Sequence, residues 1–302
     1  MTLSQLRYAV AIDTHRHFGR AAEACYVSQP TLSAGLKRLE DELGIVLFDR
    51  SRQPVVPTEA GAEALVRARA VLREAEGLAA LTDEQGNEPA GELRIGVIPT
   101  VAACLLPLVT GPFAERYPHV SLSIHELTTE SILDHLTTER IDAGIVATDE
   151  RAAGLHTEPL YTEQFVAYVG AEHPLASHEV VACDRLAPEE VWLLSEGHCF
   201  RDQVLHLCGA APTKGAGRNV RFESGNLETL RRMVDRAGGV TLLPELSTLY
   251  LTADEARRVR PLAEPIPQRE VRLVTGRTHL RRTLVAAYAD AVREAAGAAL
   301  AR

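Results

Sequence analysis

Hydrophobic positions divide the first 43 residues into three short helices. Leu3, Leu6 and Val10 define one apolar face, Ala21, Ala22 and Cys25 a second, and Leu32, Leu36, Leu39 and Leu43 a third. The four leucines recur at i, i+4, i+7 and i+11, so they share a narrow arc at about 100° per residue. The opposite arc carries Ser33, Lys37, Arg38 and Asp41. Ser28 ahead of Pro30 predicts a capped start with proline at the first helical position. After Gly44, the stretch Val46, Leu47, Phe48, Arg50, Arg52, Pro54 and Pro57 reads as a small hairpin wing. From Thr58 to about Leu81, Leu65 and Leu72, like Ala68 and Ala75, recur seven apart, which marks a dimer-forming helix. A helix packed on its own domain is the alternative. Residues 84–91 are polar and read as a linker.

Beyond residue 91, strands and helices alternate. Residues 93–98, 120–127 and 141–147 read as strands, separated by helices near 101–116 and 129–139. Strands follow at 164–170, 191–195, 219–223, 240–243 and 270–275, then a final helix from His279. This order predicts parallel sheets with helices on both faces. The uncharged run 95–114 is long enough to span a membrane. Gly96, Pro99, Pro107, Gly111 and Pro112 interrupt it, so a buried strand and helix are expected, and no membrane partner.

Composition adds limits rather than identity. A chain of 302 residues, 46% hydrophobic and 24% charged, accommodates two or three domains. The net charge of -9 argues against a basic nucleic-acid coat, yet residues 1–60 balance seven Lys and Arg against seven Asp and Glu. The acidic excess therefore lies downstream. Five cysteines without a secretory leader predict a cytoplasmic protein with reduced thiols. Cys25 and Cys104 occupy apolar positions and read as core, Trp192 likewise, while Cys183 is ambiguous. Zinc-like Cys/His spacing and nucleotide-binding glycine motifs are absent from the sequence, so neither a metal nor a cofactor is expected.

Two clusters carry chemistry. Gln29, Pro30, Thr31 and Ser33 near the start of the third helix, with Lys37 and Arg38 further along and Arg50 in the wing, form the kind of surface that enters a DNA major groove. Short polar side chains reach base edges and cations hold phosphates. An ordinary solvated face fits the same residues. The second cluster is Gly197 to Gln203, followed by Cys208. Cys199 falls where an apolar strand gives way to a helix, and the helix N-terminus, Arg201 and a protonated His198 would each stabilise a thiolate. A thiolate attacks peroxide to give a sulfenic acid, which a second thiol converts to a disulfide. Cys208 is the nearest candidate. Along a helix the two α-carbons stand about 13.5 Å apart, against less than about 7 Å in a disulfide. Bonding therefore requires the segment 199–208 to refold. Two inert thiols are the alternative.

The string Ala21-Ala22-Glu23, Ser28-Gln29-Pro30-Thr31-Leu32-Ser33, Leu39-Glu40, Gly44, Leu47-Phe48-Asp49-Arg50 and Thr58-Glu59-Ala60-Gly61 resembles the winged helix-turn-helix of LysR-type regulators. The cluster 197–208, with Ile98-Pro99-Thr100, His125-Glu126 and Leu227-Glu228-Thr229-Leu230, is similar to OxyR-type peroxide regulators. The resemblance implies an α+β multidomain protein: a winged helix-turn-helix at 1–58, a dimerisation linker helix and hinge at 59–91, and two α/β Rossmann-like, periplasmic-binding-protein-like subdomains. These are expected at 92–162 with 268–302, and at 163–267. It also implies a transcription activator of oxidative-stress genes rather than an enzyme, with Cys199 peroxidatic and Cys208 resolving. Thr100, Thr129, His198, Arg201 and Asp202 would shape the peroxide pocket. Each threonine follows a strand and opens a helix, where capping is the plainer role. Expected partners are promoter DNA, hydrogen peroxide, RNA polymerase and further copies of the chain, as a homodimer and a homotetramer. A LysR-type regulator of an organic metabolite and a thiol peroxidase remain as alternatives.

Overall fold

The computed structural model describes residues 1–83, 89–148, 154–186, 191–207, 225–276 and 281–301. The chain divides into two units, Met1–Glu88 and Pro89–Arg302.

In the first unit, short-range hydrogen bonds set the helix starts. Helix α1 (Leu3–His15) begins at a capping box between Thr2 and Gln5, and α2 (Phe18–Ala24) at the His17 ring. Helix α3 (Gln29–Leu43) begins where the Ser28 hydroxyl accepts the Thr31 N–H at 3.3 Å. Pro30 thus takes the second helical position, one later than expected. Gly44, at φ 71°, ends α3 in the left-handed conformation. The wing pairs β1 (Phe48–Asp49) with β2 (Val56–Pro57), and α4 (Glu59–Asp83) follows. Gly61 lets α4 start against the wing, since a Cβ there would lie 2.0 Å from the Leu47 carbonyl oxygen.

Leu32, Leu36 and Leu39 are buried with Leu6, Ile12, Ala21 and Ala22. Two expectations are corrected. Leu43, in the last turn before the chain leaves at Gly44, is 42% exposed instead of joining the leucine arc inside. Leu65 and Leu72 pack with Ala68 into the protomer's own core, so the stripe expected to face a partner is turned inward. Arg69, on the same arc, pairs with the buried Asp13 of α1 and fixes this rotation. Among the described residues, the exposed large apolar side chains on α4 are Val71 and Leu78.

The second unit contains β3 (Gly91–Val97), α5 (Pro99–Arg116), β4 (Val120–Glu126), α6 (Thr129–Thr137), β5 (Ala143–Val146) and β6 (Leu155–Val169). There follow α7 (Cys199–Leu207), α8 (Leu227–Ala237), β7 (Val240–Pro244), α9 (Ala253–Ala256), β8 (Val259–Pro261), β9 (Gln268–Gly276) and α10 (Arg282–Leu300). The strand order is β4-β3-β5-β9-β6-β7, with β8 also on β6. Among the described strands, β3 pairs in parallel with β4 and with β5. Strand β9 is antiparallel to β5 and β6, and β6 is antiparallel to β7 and β8, which corrects the expectation of parallel sheets. The reason is that β6 and β9 cross between two cores. A chain that leaves the first core along β6 and returns along β9 runs the two strands in opposite directions. One core gathers β3, β5, α5, α6 and α10 around Ile95, Leu105, Phe113, Ile145 and Tyr288. The other surrounds Phe165, Tyr168, Trp192, Phe200 and Leu242.

The expected strand 191–195 is an extended segment with one bridge, Val191 to Val240. Its Trp192 is buried and donates to the Gly238 carbonyl at 2.8 Å. The expected strand 219–223 and the first residues of the expected final helix lie outside the described residues. No described helix is long and apolar enough to cross a membrane.

Candidate functional site

Cys199 is the first residue of α7. Phe200 and Val204 bury one face of this helix in the second core. On the other side, Gln203 Nε2 donates to the Ala147 carbonyl at 2.6 Å, just beyond β5. The helix therefore bridges the two cores. Cys199 is a free thiol that packs at the edge of the first core. The hydroxyl of Thr129, the first residue of α6, and the backbone of Phe200 both favour its ionised form. Capping of α6 falls to Thr128, which accepts the Ser131 N–H at 3.3 Å. Thr129 is thus left for the thiol. Cys208 lies outside the described residues.

The electrostatics differ from the sequence expectation. Burial dominates and pushes the Cys199 thiol up, while the Thr129 hydrogen bond and then the Arg269 charge pull it down and Asp202 opposes them. Arg201 Nη1 donates to the Leu194 carbonyl at 2.8 Å, and Arg201 does not figure among the charges acting on the thiol. Burial holds His198 below the ordinary imidazole range, which favours the neutral ring at pH 7. The His198 ring lies against Gly225, where a Cβ would come within 2.8 Å of Nε2. Asp202 is exposed in the first turn of α7.

The cation that reaches the thiol comes from β9. Arg269 is buried and donates from Nη1 to Thr100 Oγ1 at 3.2 Å and from Nη2 to the Thr100 carbonyl at 3.0 Å. Its Nε and Nη2 both meet Glu163 Oε1, at 2.9 and 2.8 Å. Its guanidinium carbon stands 5.4 Å from the centre of the Phe200 ring, next to Cys199 in the chain. The buried guanidinium thus holds Thr100 and acts on Cys199, which the Thr129 hydroxyl favours from α6. Such a site can bind a small polar oxidant through hydroxyl and N–H groups while presenting a sulfur nucleophile.

On α3, Gln29, Pro30, Thr31, Lys37 and Arg38 are exposed and Ser33 is half-buried. Arg50 is committed within the protomer, pairing with Glu40 at 2.7 Å and covering the Phe18 ring at 5.5 Å.

Comparison with known proteins places this arrangement. The model of the bacterial regulatory helix-turn-helix protein, lysR family, matches residues 3–62, and that of the LysR substrate binding domain matches residues 86–297. A hydrogen peroxide-inducible genes activator of Pectobacterium carotovorum subsp. carotovorum is 37% identical over 294 residues, covering 97% of this chain and 96% of the relative. The chain belongs to the LysR family, and within it to the OxyR-type regulators. A full-length OxyR from Pseudomonas aeruginosa with a cysteine-to-aspartate substitution superposes with a TM-score of 0.83 at 36% identity, covering 97% of this chain and 95% of that one. A hydrogen-peroxide-bound OxyR mutant from Corynebacterium glutamicum gives 0.64 at 30% identity, covering 99% and 94%.

For this LysR-family chain, sequence reasoning overlooked Arg269 and Glu163. They are register partners across β6 and β9. A signal existed: Arg269 alternates with Val271 and Leu273, and Glu163 with Phe165 and Ala167, so opposite charges occupy the inward positions of two apolar strands. Buried charges at such positions are normally paired.

Proposed function

We propose that this chain is a hydrogen-peroxide-sensing transcription regulator that reads promoter DNA through α3 and switches through Cys199. The observation that carries the reading is the meeting of the Cys199 thiol with Thr129, at the start of a helix and beside the buried Arg269–Thr100 pair. In the first step the sulfur attacks one peroxide oxygen. The O–O bond breaks, the thiol proton leaves with the departing oxygen as water, and Cys199 becomes a sulfenic acid. The Cys208 thiol then attacks that sulfur, forming the S–S bond and releasing a second water. Helix α7 runs through Leu207, which separates Cys199 from its far end by about 12 Å at 1.5 Å per residue. Disulfide formation therefore requires α7 to unwind, giving up the Phe200 and Val204 packing and the Gln203 bridge. This refolding is the switch.

The domains assigned to these tasks are the reader at 1–58, the linker at 59–91, and subdomains at 92–162 with 268–302 and at 163–267. Gln29, Pro30, Thr31, Ser33, Lys37 and Arg38 form the reading face, with Arg50 bracing the wing rather than holding phosphate. Exposed Val71 and Leu78, seven residues apart on α4, are the apolar positions available to a second copy in a homodimer and a homotetramer. The protein acts in the cytoplasm with RNA polymerase, as a sensor oxidised once per event rather than a peroxidase. In cells, Cys199→Ser should abolish peroxide-dependent promoter activation while leaving operator binding intact. Undiminished induction in that variant would overturn the reading.

A further inference from the structure

We infer that Glu163 is a positioning residue that sets, through Arg269, how readily Cys199 becomes a thiolate. The inference rests on Cys199 being the reactive thiol. Arg269 is the cation closest in effect to Cys199, and its orientation is over-determined. Glu163 Oε1 takes two of its donors, the Thr100 hydroxyl and carbonyl take two contacts more, and the Phe200 ring lies beside the guanidinium. Glu163 is itself held, because its Oε2 accepts the Leu246 N–H at 3.0 Å. Both side chains are 1% exposed, so water screens neither charge.

The pairing has two consequences with opposite signs. Glu163 keeps the guanidinium on Thr100 and at Phe200, where it faces the thiol. Its negative charge also opposes the field that an unpaired arginine would exert there. An opposite charge within about 4 to 6 Å lowers an acid's pKa by about 1 to 3 units. Here Arg269 pulls the thiol down, and burial prevails. The resting thiol is thus kept mostly protonated in front of a poised cation, which restrains its reaction with general electrophiles. The other groups facing this array are Asp202 on α7, which opposes the thiolate, and Cys104 on α5 and Tyr161 on β6, which border the ion pair. Asp202 is exposed, and Cys104 and Tyr161 are neutral near pH 7, since burial pushes both upward. Glu163 is therefore the buried counter-charge whose removal changes the balance.

The test is the pH profile of iodoacetamide alkylation at Cys199 in the full reduced chain, read by mass spectrometry of tryptic peptides. Cleavage after Arg201 separates Cys199 from Cys208. Glu163→Gln keeps an acceptor for Arg269 and removes the charge. Its profile should move to lower pH by about one unit, giving several-fold faster alkylation at pH 7. Glu163→Asp, which restores the charge, should return the midpoint toward wild type. Arg269→Gln should move it the other way. A purely structural Glu163 would lower Tm in Glu163→Gln without moving the profile, and that result, or an upward shift, overturns the inference. If Glu163→Gln does not fold, Arg269→Gln decides: an unmoved profile there means that the cation does not reach the thiol. Iodoacetamide replaces peroxide throughout, so failure of the peroxide reading would leave this outcome unaffected and separately visible.

Discussion

Cys199 and Cys104 border the same buried ion pair and are treated by it in opposite ways. Cys104 lies on α5 inside the first core, 5% exposed. Burial, reinforced by Glu163 and only partly countered by Arg269, pushes its thiol up to about 12. Cys199 also suffers burial, but the Thr129 hydroxyl, the Phe200 backbone and Arg269 all work against it. One thiol meets the carboxylate end of the pair and the other the guanidinium end. Proximity to charge is thus insufficient for reactivity. What distinguishes a sensing thiol is which end of the pair it faces and whether hydrogen-bond donors reach its sulfur.

The contrast is broken most simply by labelling. With iodoacetamide at pH 7.5, Cys104 should react at least about 100-fold more slowly than Cys199, because its thiolate fraction is minute and its sulfur enclosed. Comparable rates in peptide-resolved mass spectrometry would dissolve the distinction. A second effect appears in stability. The folded-state pKa of Cys104 is raised from 9.0 to about 12, so the folded chain holds this proton where the unfolded chain releases it. Its contribution is fully present below pH 9 and is lost as pH rises toward 12. By linkage the loss is about 1 to 1.5 kcal/mol at pH 10. Cys104→Ala should therefore lose less stability than wild type between pH 8 and 10 in denaturant titrations; identical losses would contradict the assigned shift. The smallest effect sharpens the other side. Thr129→Val removes the hydroxyl that favours ionised Cys199 and should raise the midpoint of its alkylation profile by about half a pH unit to one unit, with Cys104 unmoved. A parallel shift at Cys104 would point to a general change in packing.

How far each region could be read from sequence follows from the range of the interactions that build it. The caps and leucines of α3 are local, so Ser28, Gly44 and the buried arc of Leu32, Leu36 and Leu39 were legible at helical spacing. The rotation of α4 was not. A heptad of Leu65 and Leu72 serves an internal core as well as a partner, and the Asp13–Arg69 pair that decides between them spans 56 residues. The antiparallel direction of β6 and β9 escaped for a similar reason, since an alternating pattern carries no record of strand direction. At the thiol, Cys199, Thr100 and Thr129 were found because helix starts after strands are recognisable. Arg201 and His198 were given the cationic role because they are neighbours in sequence. The guanidinium that holds it is 70 residues downstream on a strand, visible only as a charge in an inward register position.

The account rests most directly on what peroxide does to Cys199, and stoichiometric titration of the full reduced chain followed by non-reducing peptide mass spectrometry measures it. The account predicts that one equivalent of hydrogen peroxide oxidises Cys199 ahead of Cys25, Cys104 and Cys183 and yields a peptide cross-linked between Cys199 and Cys208. A Cys199 that remains a thiol while other cysteines are consumed would contradict it.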